Sequence, residues 1–180
     1  MPELQIINAD LRSRFDTVFL DSLLHLKPEK LDESLAAALR HAGKPVVLLY
    51  GECSPLQFLT GTVEKCYRTR GSCCAEIMLG RERYRELRRN GSFFLMPEWI
   101  ERWEDIFKAR LGFNDKELAK SLMADTMKEI VYLDSGVPKP SLKILTEITD
   151  YLGLPLRVEE CGVGNLEEVL TEALAEVRLG

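Results

Sequence analysis

The feature that most constrains the fold is an unbroken apolar run, Val46–Tyr50, followed at once by Gly51. The run has the length of a β-strand and shows no polar alternation, which is typical of a strand covered on both faces in a parallel sheet. Further apolar runs of strand length alternate with segments of helical periodicity, and such alternation predicts an α/β fold. We therefore expect a mainly parallel sheet of about four or five strands with helices on both faces, and Val46–Tyr50 as a central strand.

The remaining predicted strands are Leu4–Ile7, Ser92–Met96, Glu129–Asp134 and Pro155–Glu160. One predicted helix is capped by Asp32 and closed by Gly43, and another is broken or bent at Gly80. The chain has 180 residues and no obvious linker or internal repeat, which favours a single domain over residues 1–180.

The charge balance bears on the classes of partner and on location. The net charge is −5 and the pI is about 5.2, whereas nucleic-acid-binding proteins usually have a basic balance. No stretch approaches the roughly 20 apolar residues of a membrane helix, and the first ten residues lack the pattern of a signal peptide. We therefore expect a cytoplasmic protein with neither nucleic acid nor membrane as a partner.

Five cysteines are present, Cys53, Cys66, Cys73, Cys74 and Cys161. An odd number in a chain expected in the cytosol argues against a disulfide framework. Reduced thiols there are metal ligands, reactive groups or core residues. Their spacing matches neither a zinc ribbon nor a ferredoxin, so the cysteines by themselves leave all three interpretations open.

The segment Gly51-Glu52-Cys53 directly follows the apolar run Val46–Tyr50. Ligands of open α/β sheets bind outside the carboxyl ends of the strands, which is where this segment is expected. Gly51 predicts either a positive φ or a close approach of another part of the backbone. A buried cysteine in a tight turn would show the same sequence pattern.

Five arginines lie within Arg81–Arg89, interleaved with Glu82 and Glu86. A solvated helix face with ion pairs between successive turns is the favoured interpretation, and a site for an anionic ligand is the alternative. No phosphate-binding loop, dinucleotide fingerprint or nucleophile elbow is present in the sequence.

Several blocks occur in the order seen in the DUF1638 family of uncharacterised proteins: "LLHLKPEK", "YGEC", "CCAEIMLGRERYREL", "GSFFLMPEWIER", "LGF", "IVYLD" and "GVGNLEEVL". The chain resembles this family from about His25 to Leu170. The resemblance implies a cytosolic prokaryotic protein without an established activity. Some members accompany corrinoid-dependent methyltransferase systems, which makes a metal- or corrinoid-handling protein, or a small molecule, a candidate partner.

The resemblance also implies a set of site residues. The family pattern has a histidine before "PEK", a cysteine after a strand and a second cysteine before a helix, and these positions match His25, Cys53 and Cys74. Where the pattern has a histidine and an aspartate before the second cysteine, this chain has Ser72 and Cys73, so Cys73 is a candidate replacement ligand.

Two thiolates and one imidazole suit Zn²⁺ or Fe²⁺, with Cys73, Glu52 or a water in a fourth position. An iron–sulfur cluster that includes Cys161 or Cys73, or a corrinoid, is a further candidate cofactor. The first hypothesis is therefore a metal- or cofactor-binding protein. The alternatives are a metal-free thiol enzyme with Cys53 as nucleophile and His25 as base, and a non-catalytic partner protein whose cysteines pack.

Overall fold

Two small parallel sheets are the framework of the computed structural model, which describes residues 2–21, 24, 27–51, 66–137 and 140–179. The strands are β1 (Val46–Leu48), β2 (Cys66–Arg68), β3 (Ser92–Leu95), β4 (Glu129–Asp134) and β5 (Leu156–Glu160). β1 pairs with β2, and β4 lies between β3 and β5, always in parallel. The mixed helix and strand class and the parallel pairing are confirmed. Within the described ranges, however, the strands form a two-stranded and a three-stranded sheet, not one sheet of four or five.

Eight α-helices accompany the strands over the described residues: α1 (Ala9–Arg12), α2 (Pro28–Arg40), α3 (Cys74–Leu79), α4 (Arg81–Arg89), α5 (Pro97–Ile100), α6 (Lys116–Thr126), α7 (Leu142–Leu152) and α8 (Gly164–Leu179). A 3₁₀-helix spans Pro2–Gln5 and a π-helix spans Glu104–Arg110.

Two local predictions are corrected and one is confirmed. The predicted strand Leu4–Ile7 is wrong, because a 3₁₀-helix occupies Pro2–Gln5, which includes the buried Leu4. Helix α2 begins at Pro28 and not after Asp32, since proline suits the first helical turn. The break at Gly80 is confirmed, with φ at +75° between α3 and α4.

The chain forms two compact units. The two-stranded unit consists of Ile7–Gly80 and Gly164–Gly180, and the three-stranded unit consists of Met1–Ile6 and Arg81–Val163. The prediction of a single domain stays a prediction.

In the two-stranded unit, one face of the sheet is covered by α2. Leu31, Leu35 and Leu39 form a buried row on this helix and pack against Val46 and Leu48 of β1. Helix α8 lies against both strands and against α3. Among the described residues β1 has β2 as its one neighbour and is half-buried, so it is not the central, fully covered strand that was predicted.

In the three-stranded unit, the middle strand β4 is the core, and its residues 130–133 are at most 2% exposed. Successive side chains of β3 point to opposite faces of the sheet. The ring of Phe94 lies 5.3 Å from that of Tyr84 on α4, and the ring of Phe93 lies 5.8 Å from that of Phe107 on the π-helix. Helices on both faces are thus confirmed for this sheet.

Candidate functional site

The sequence-predicted site residues fall partly inside and partly outside the described structure. His25 and Cys53, like Glu52, lie outside it. Cys73 is half-buried, has an extended backbone and directly precedes α3, and Cys74 is the exposed first residue of that helix. The convergence of His25, Cys53 and Cys74 therefore stays a prediction, and the structure describes the surroundings of the cysteine pair.

Gly51 lies three residues after β1 and contacts the turn that carries Ser72 and Cys73. A methyl group on Gly51 would lie 2.6 Å from the Cα atom and 3.0 Å from the nitrogen of Cys73, and 2.8 Å from the carbonyl oxygen of Ser72. Gly51 is not among the glycines with positive φ. The close-approach alternative is therefore confirmed, and the reason for glycine here is lack of space for any side chain.

The exits of β1 and β2 are held together just before this contact. The backbone N–H of the buried Thr69 donates to the carbonyl of Leu48 at 3.0 Å, and its hydroxyl donates to the same oxygen at 3.4 Å. Since Thr69 directly follows β2 and Leu48 ends β1, the carboxyl ends of the two parallel strands lie side by side. This is the edge at which open parallel sheets usually bind ligands.

Three glutamates contact the turn from Thr69 to Cys73. The guanidinium of Arg70 pairs with Glu168 at 2.6 Å and with Glu172 at 3.0 Å, both on α8. The backbone N–H of Ser72 donates to the carboxylate of Glu76 at 3.1 Å, and the Ser72 hydroxyl donates to the same oxygen. A carboxylate in the first turn of a helix also suits the helix dipole.

The sequence analysis missed Ser72 and Glu76 as structural parts of this turn. The available signal was a serine just before a helix with a glutamate in the first turn, although their spacing is one residue longer than in a capping box. Both side chains hold the backbone that presents Cys73 and Cys74.

The four cysteines in the described residues are free thiols; Cys66, Cys73 and Cys161 are half-buried and Cys74 is exposed. Burial raises the pKa of the Cys66 thiol. Burial is also the main reason that the pKa of Cys161 rises to about 11, and the nearby carboxylates of Asp134, Glu3 and Glu159 add to the rise. Both thiols keep their protons at neutral pH, so these two cysteines are poor metal ligands or nucleophiles.

No group of three or more histidine, cysteine, aspartate or glutamate side chains in a metal-binding arrangement occurs within the described ranges. Two of the four predicted ligands lie outside those ranges. The full ligand set of His25, Cys53, Cys73 and Cys74 therefore stays a prediction.

The arginine-rich helix α4 has the features of a solvated face. Arg81, Arg85, Arg88 and Arg89 are exposed. Arg83 forms an ion pair with Glu86 at 2.8 Å. It also forms a bidentate ion pair with Glu159, in which the arginine Nε and Nη2 donate at 2.7 and 2.8 Å. The solvated-face interpretation agrees with these positions.

Comparison with protein families identifies the class of the chain. The model of the family described as "Protein of unknown function (DUF1638)" matches residues 19–170. The chain therefore belongs to the DUF1638 family, as its sequence blocks indicated. No curated protein and no solved structure matches it. Over the part of the chain that the structure describes, no helix has both the length and the apolar character needed to cross a bilayer.

Proposed function

We propose that the chain binds a soft transition metal, Zn²⁺ or Fe²⁺, through His25, Cys53, Cys73 and Cys74 at the carboxyl edge of the two-stranded unit. The contact of Gly51 with Ser72 and Cys73 is the observation that carries this proposal. Cys53 is two residues beyond Gly51, and two residues span at most about 7 Å. The chain between Gly51 and Cys53 is thus short enough to keep the Cys53 backbone near the cysteine pair.

The chemistry of the donors supports a soft metal. Thiolates and imidazole are the ligands that Zn²⁺ and Fe²⁺ accept, whereas Mg²⁺ and Ca²⁺ prefer oxygen. Cys66 and Cys161 are weaker candidates, because burial raises the pKa of each thiol and a ligand must lose its proton.

A cytoplasmic location belongs to the same proposal, because thiols stay reduced there. The family resemblance adds a corrinoid- or methyl-transfer-related role, in which the bound metal or a corrinoid-handling protein is the partner. A corrinoid supplies methyl-transfer chemistry when bound, and the chain's thiols and imidazole would serve to hold and orient it.

The proposal is tested by measuring the metal content of the full chain after anaerobic purification. We expect about one zinc or iron per chain, as in mononuclear protein sites. The Cys53→Ser, Cys74→Ser double variant should lose the metal while its circular dichroism shows a folded protein. The matched control, Cys66→Ser with Cys161→Ser, should retain the metal.

Absence of metal from the wild-type chain would overturn the proposal. Alkylation with iodoacetamide then distinguishes the remaining hypotheses. Fast, selective labelling of Cys53 that depends on His25 would indicate a thiol enzyme, and uniformly slow labelling would indicate packed cysteines.

A further inference from the structure

Strand β5 lies at one edge of the three-stranded sheet, because within the described ranges it pairs with β4 alone. At the start of this parallel ladder the N–H of Ile130 donates to the carbonyl of Pro155 at 2.8 Å, and at its end the N–H of Cys161 donates to the carbonyl of Asp134 at 2.9 Å. Successive residues of a strand point their N–H and carbonyl groups to opposite sides. The two end bonds therefore fix the direction of every backbone group between them.

Three residues of β5 point their backbone groups away from β4. Arg157 and Glu159 direct theirs toward β4, so those of Leu156, Val158 and Glu160 point outward. Among the described residues, nothing forms a hydrogen bond with these outward groups. The side chain of Val158 is also 50% exposed. A row of unpaired backbone groups beside an exposed apolar side chain is the kind of surface to which another strand adds.

The charges on β5 determine which strand fits this edge. In an antiparallel pair of two β5 strands, outward residues must lie opposite outward residues, so Val158 can face Leu156, Val158 or Glu160 of a second copy. With Val158 opposite the partner's Val158, Arg157 lies opposite the partner's Glu159. The other two alignments bring two Arg157 or two Glu159 side chains together, and like charges directly opposite each other are unfavourable. The strand is thus complementary to itself in one register.

The side chains of this cross-strand pair are suited to the contact. Glu159 is held in place by its bidentate ion pair with Arg83, so little further order is lost when a partner binds it. The guanidinium of Arg157 lies 3.3 Å from a carboxylate oxygen of Glu129, yet its Nε and Nη2 form no hydrogen bond in the described structure. An arginine with unused donors readily accepts a further carboxylate.

We propose that β5 pairs antiparallel with β5 of a second copy of the chain, about a two-fold axis at Val158, and joins two three-stranded sheets into one of six strands. The outward groups of Leu156, Val158 and Glu160 would form about six backbone hydrogen bonds across the axis. The same surface patch serves both copies, as in most homodimers. This proposal does not rest on the soft-metal site, whose ligands belong to the other unit.

Sedimentation equilibrium of the full chain tests the proposal. At about 100 µM, an interface with a Kd of about 10 µM is mostly associated. We expect the mass to approach twice the chain mass of 20.5 kDa and to fall on dilution. A wild-type chain that is monomeric at this concentration would overturn the proposal.

Val158→Pro removes the central outward N–H without touching the β4 ladder, which does not use it. This variant should keep the circular dichroism of the wild type and raise the dimer Kd at least about tenfold. Val158→Thr keeps the N–H and the β-branched side chain, and it is the matched control that should dimerise normally. A dimer that survives Val158→Pro would use another surface and would refute the inference.

Cross-linking tests the register. Opposed residues of a hydrogen-bonded antiparallel pair have Cα atoms about 5.5 Å apart, within the range of about 4.4–6.8 Å that disulfides span. Val158→Cys should therefore cross-link two copies on mild oxidation, and peptide mass spectrometry should locate the bond at position 158 of both. Glu160→Cys is the control, because two positions 160 would lie about 14 Å apart along the strands. A cross-link between the two positions 160, and none at 158, would contradict the assigned register.

The charge pair has its own test. Arg157→Glu would place a carboxylate opposite the partner's Glu159 on both sides of the axis, so the dimer Kd should rise about tenfold. Arg85→Glu makes the same change of charge on the exposed face of α4 and should leave the Kd nearly unchanged. Equal effects of the two variants would contradict the cross-strand pair.

The Cys53→Ser, Cys74→Ser variant separates the dimer from the proposed function. It should dimerise like the wild-type chain even though its metal is lost. A monomeric variant would show that the metal joins the copies, and this result would refute the inference.

Discussion

Both sheets are parallel, so in each the carboxyl ends of the strands lie along one edge, but the side chains at the two edges differ chemically. At the edge of the two-stranded unit, Gly51 meets the turn that carries a half-buried and an exposed thiol, Cys73 and Cys74. Beside the end of β4 in the three-stranded unit, Glu3, Tyr132 and Ser135 are buried, and the Ser135 hydroxyl donates to the Glu3 carboxylate. Parallel pairing determines where the strand exits meet, and the residues after the strands determine whether sulfur or oxygen lines that place.

The two edges also differ in the contacts that stabilise them. We call the edge with Gly51, Cys73 and Cys74 the thiol edge, and the edge with Glu3 and Ser135 the oxygen edge. The thiol edge depends on contact between backbones, because Gly51 leaves no room for a side chain beside Cys73. The oxygen edge depends on side-chain hydrogen bonds, such as the one from Ser135 to Glu3. An added side-chain atom at Gly51 should therefore disrupt the first edge, and a change of charge or hydrogen bonding should affect the second.

The largest expected effect is that of Gly51→Ala on the thiol edge. The new methyl group would meet backbone atoms of Ser72 and Cys73, so the turn or the end of β1 must move. We expect a loss of about 1–3 kcal/mol in the free energy of unfolding, measured with urea. Gly164→Ala in the same unit is the matched control, because nothing lies within 4 Å of the added group. Equal losses in both variants would contradict the close-contact explanation.

A smaller effect is expected from the ion pair beside the oxygen edge. The hydrogen bonds from Arg83 hold the pKa of Glu159 below its ordinary value of 4.5. The folded state thus binds this proton more weakly than the unfolded chain, and the stabilisation is complete above about pH 4.5 and lost as pH falls through the lower folded pKa.

Arg83→Gln should cost about 1–2 kcal/mol at pH 7, with partial exposure of the arginine screening the pair. Urea unfolding at pH 7 and at pH 3 measures this, and the cost should shrink at pH 3. Arg85→Gln, which removes an exposed arginine two residues away on the same helix, is the control and should be nearly neutral. An equal cost at both pH values would refute the electrostatic explanation.

Thiol labelling compares the two edges directly. Because the pKa of Cys161 is raised to about 11, its iodoacetamide labelling at pH 7 should be slow and should accelerate about tenfold for each unit of pH up to pH 10. The exposed Cys74 should label earlier at pH 7, as peptide mass spectrometry can show. Labelling of Cys161 before Cys74 at pH 7 would contradict the expected difference in reactivity between these two thiols.

The smallest effect concerns the buried hydroxyl of Tyr132. Its hydroxyl has no described partner, so Tyr132→Phe should change the free energy of unfolding by no more than about 0.5 kcal/mol. Tyr151→Phe is the matched control, since the Tyr151 hydroxyl donates to the carbonyl of Phe113 at 2.5 Å and its loss should cost about 1 kcal/mol. Equal costs would show that the Tyr132 hydroxyl has a partner.

Local features of the candidate site were predictable from the sequence. The five apolar residues before Gly51 indicated a parallel strand, and the glycine indicated either a positive φ or a close approach of the backbone, because each signal depends on neighbouring residues alone. Only the tertiary structure showed that the close approach, to Ser72 and Cys73, is the reason. The break at Gly80 followed in the same way from the conformational freedom of glycine. The start of α2 was misplaced because Asp32 and Pro28 both suit the beginning of a helix, and local preference does not choose between them.

Long-range arrangement was decided by the tertiary structure. Strand-length runs do not specify their neighbours, so the sequence did not show that β1 pairs with β2 while β4 lies between β3 and β5. An acidic residue at position 3 is ordinarily a surface residue, yet Glu3 accepts a hydrogen bond from Ser135, 132 positions away. Periodicity and turn chemistry report on a few adjacent residues, whereas pairing and burial depend on which distant surfaces exclude water together.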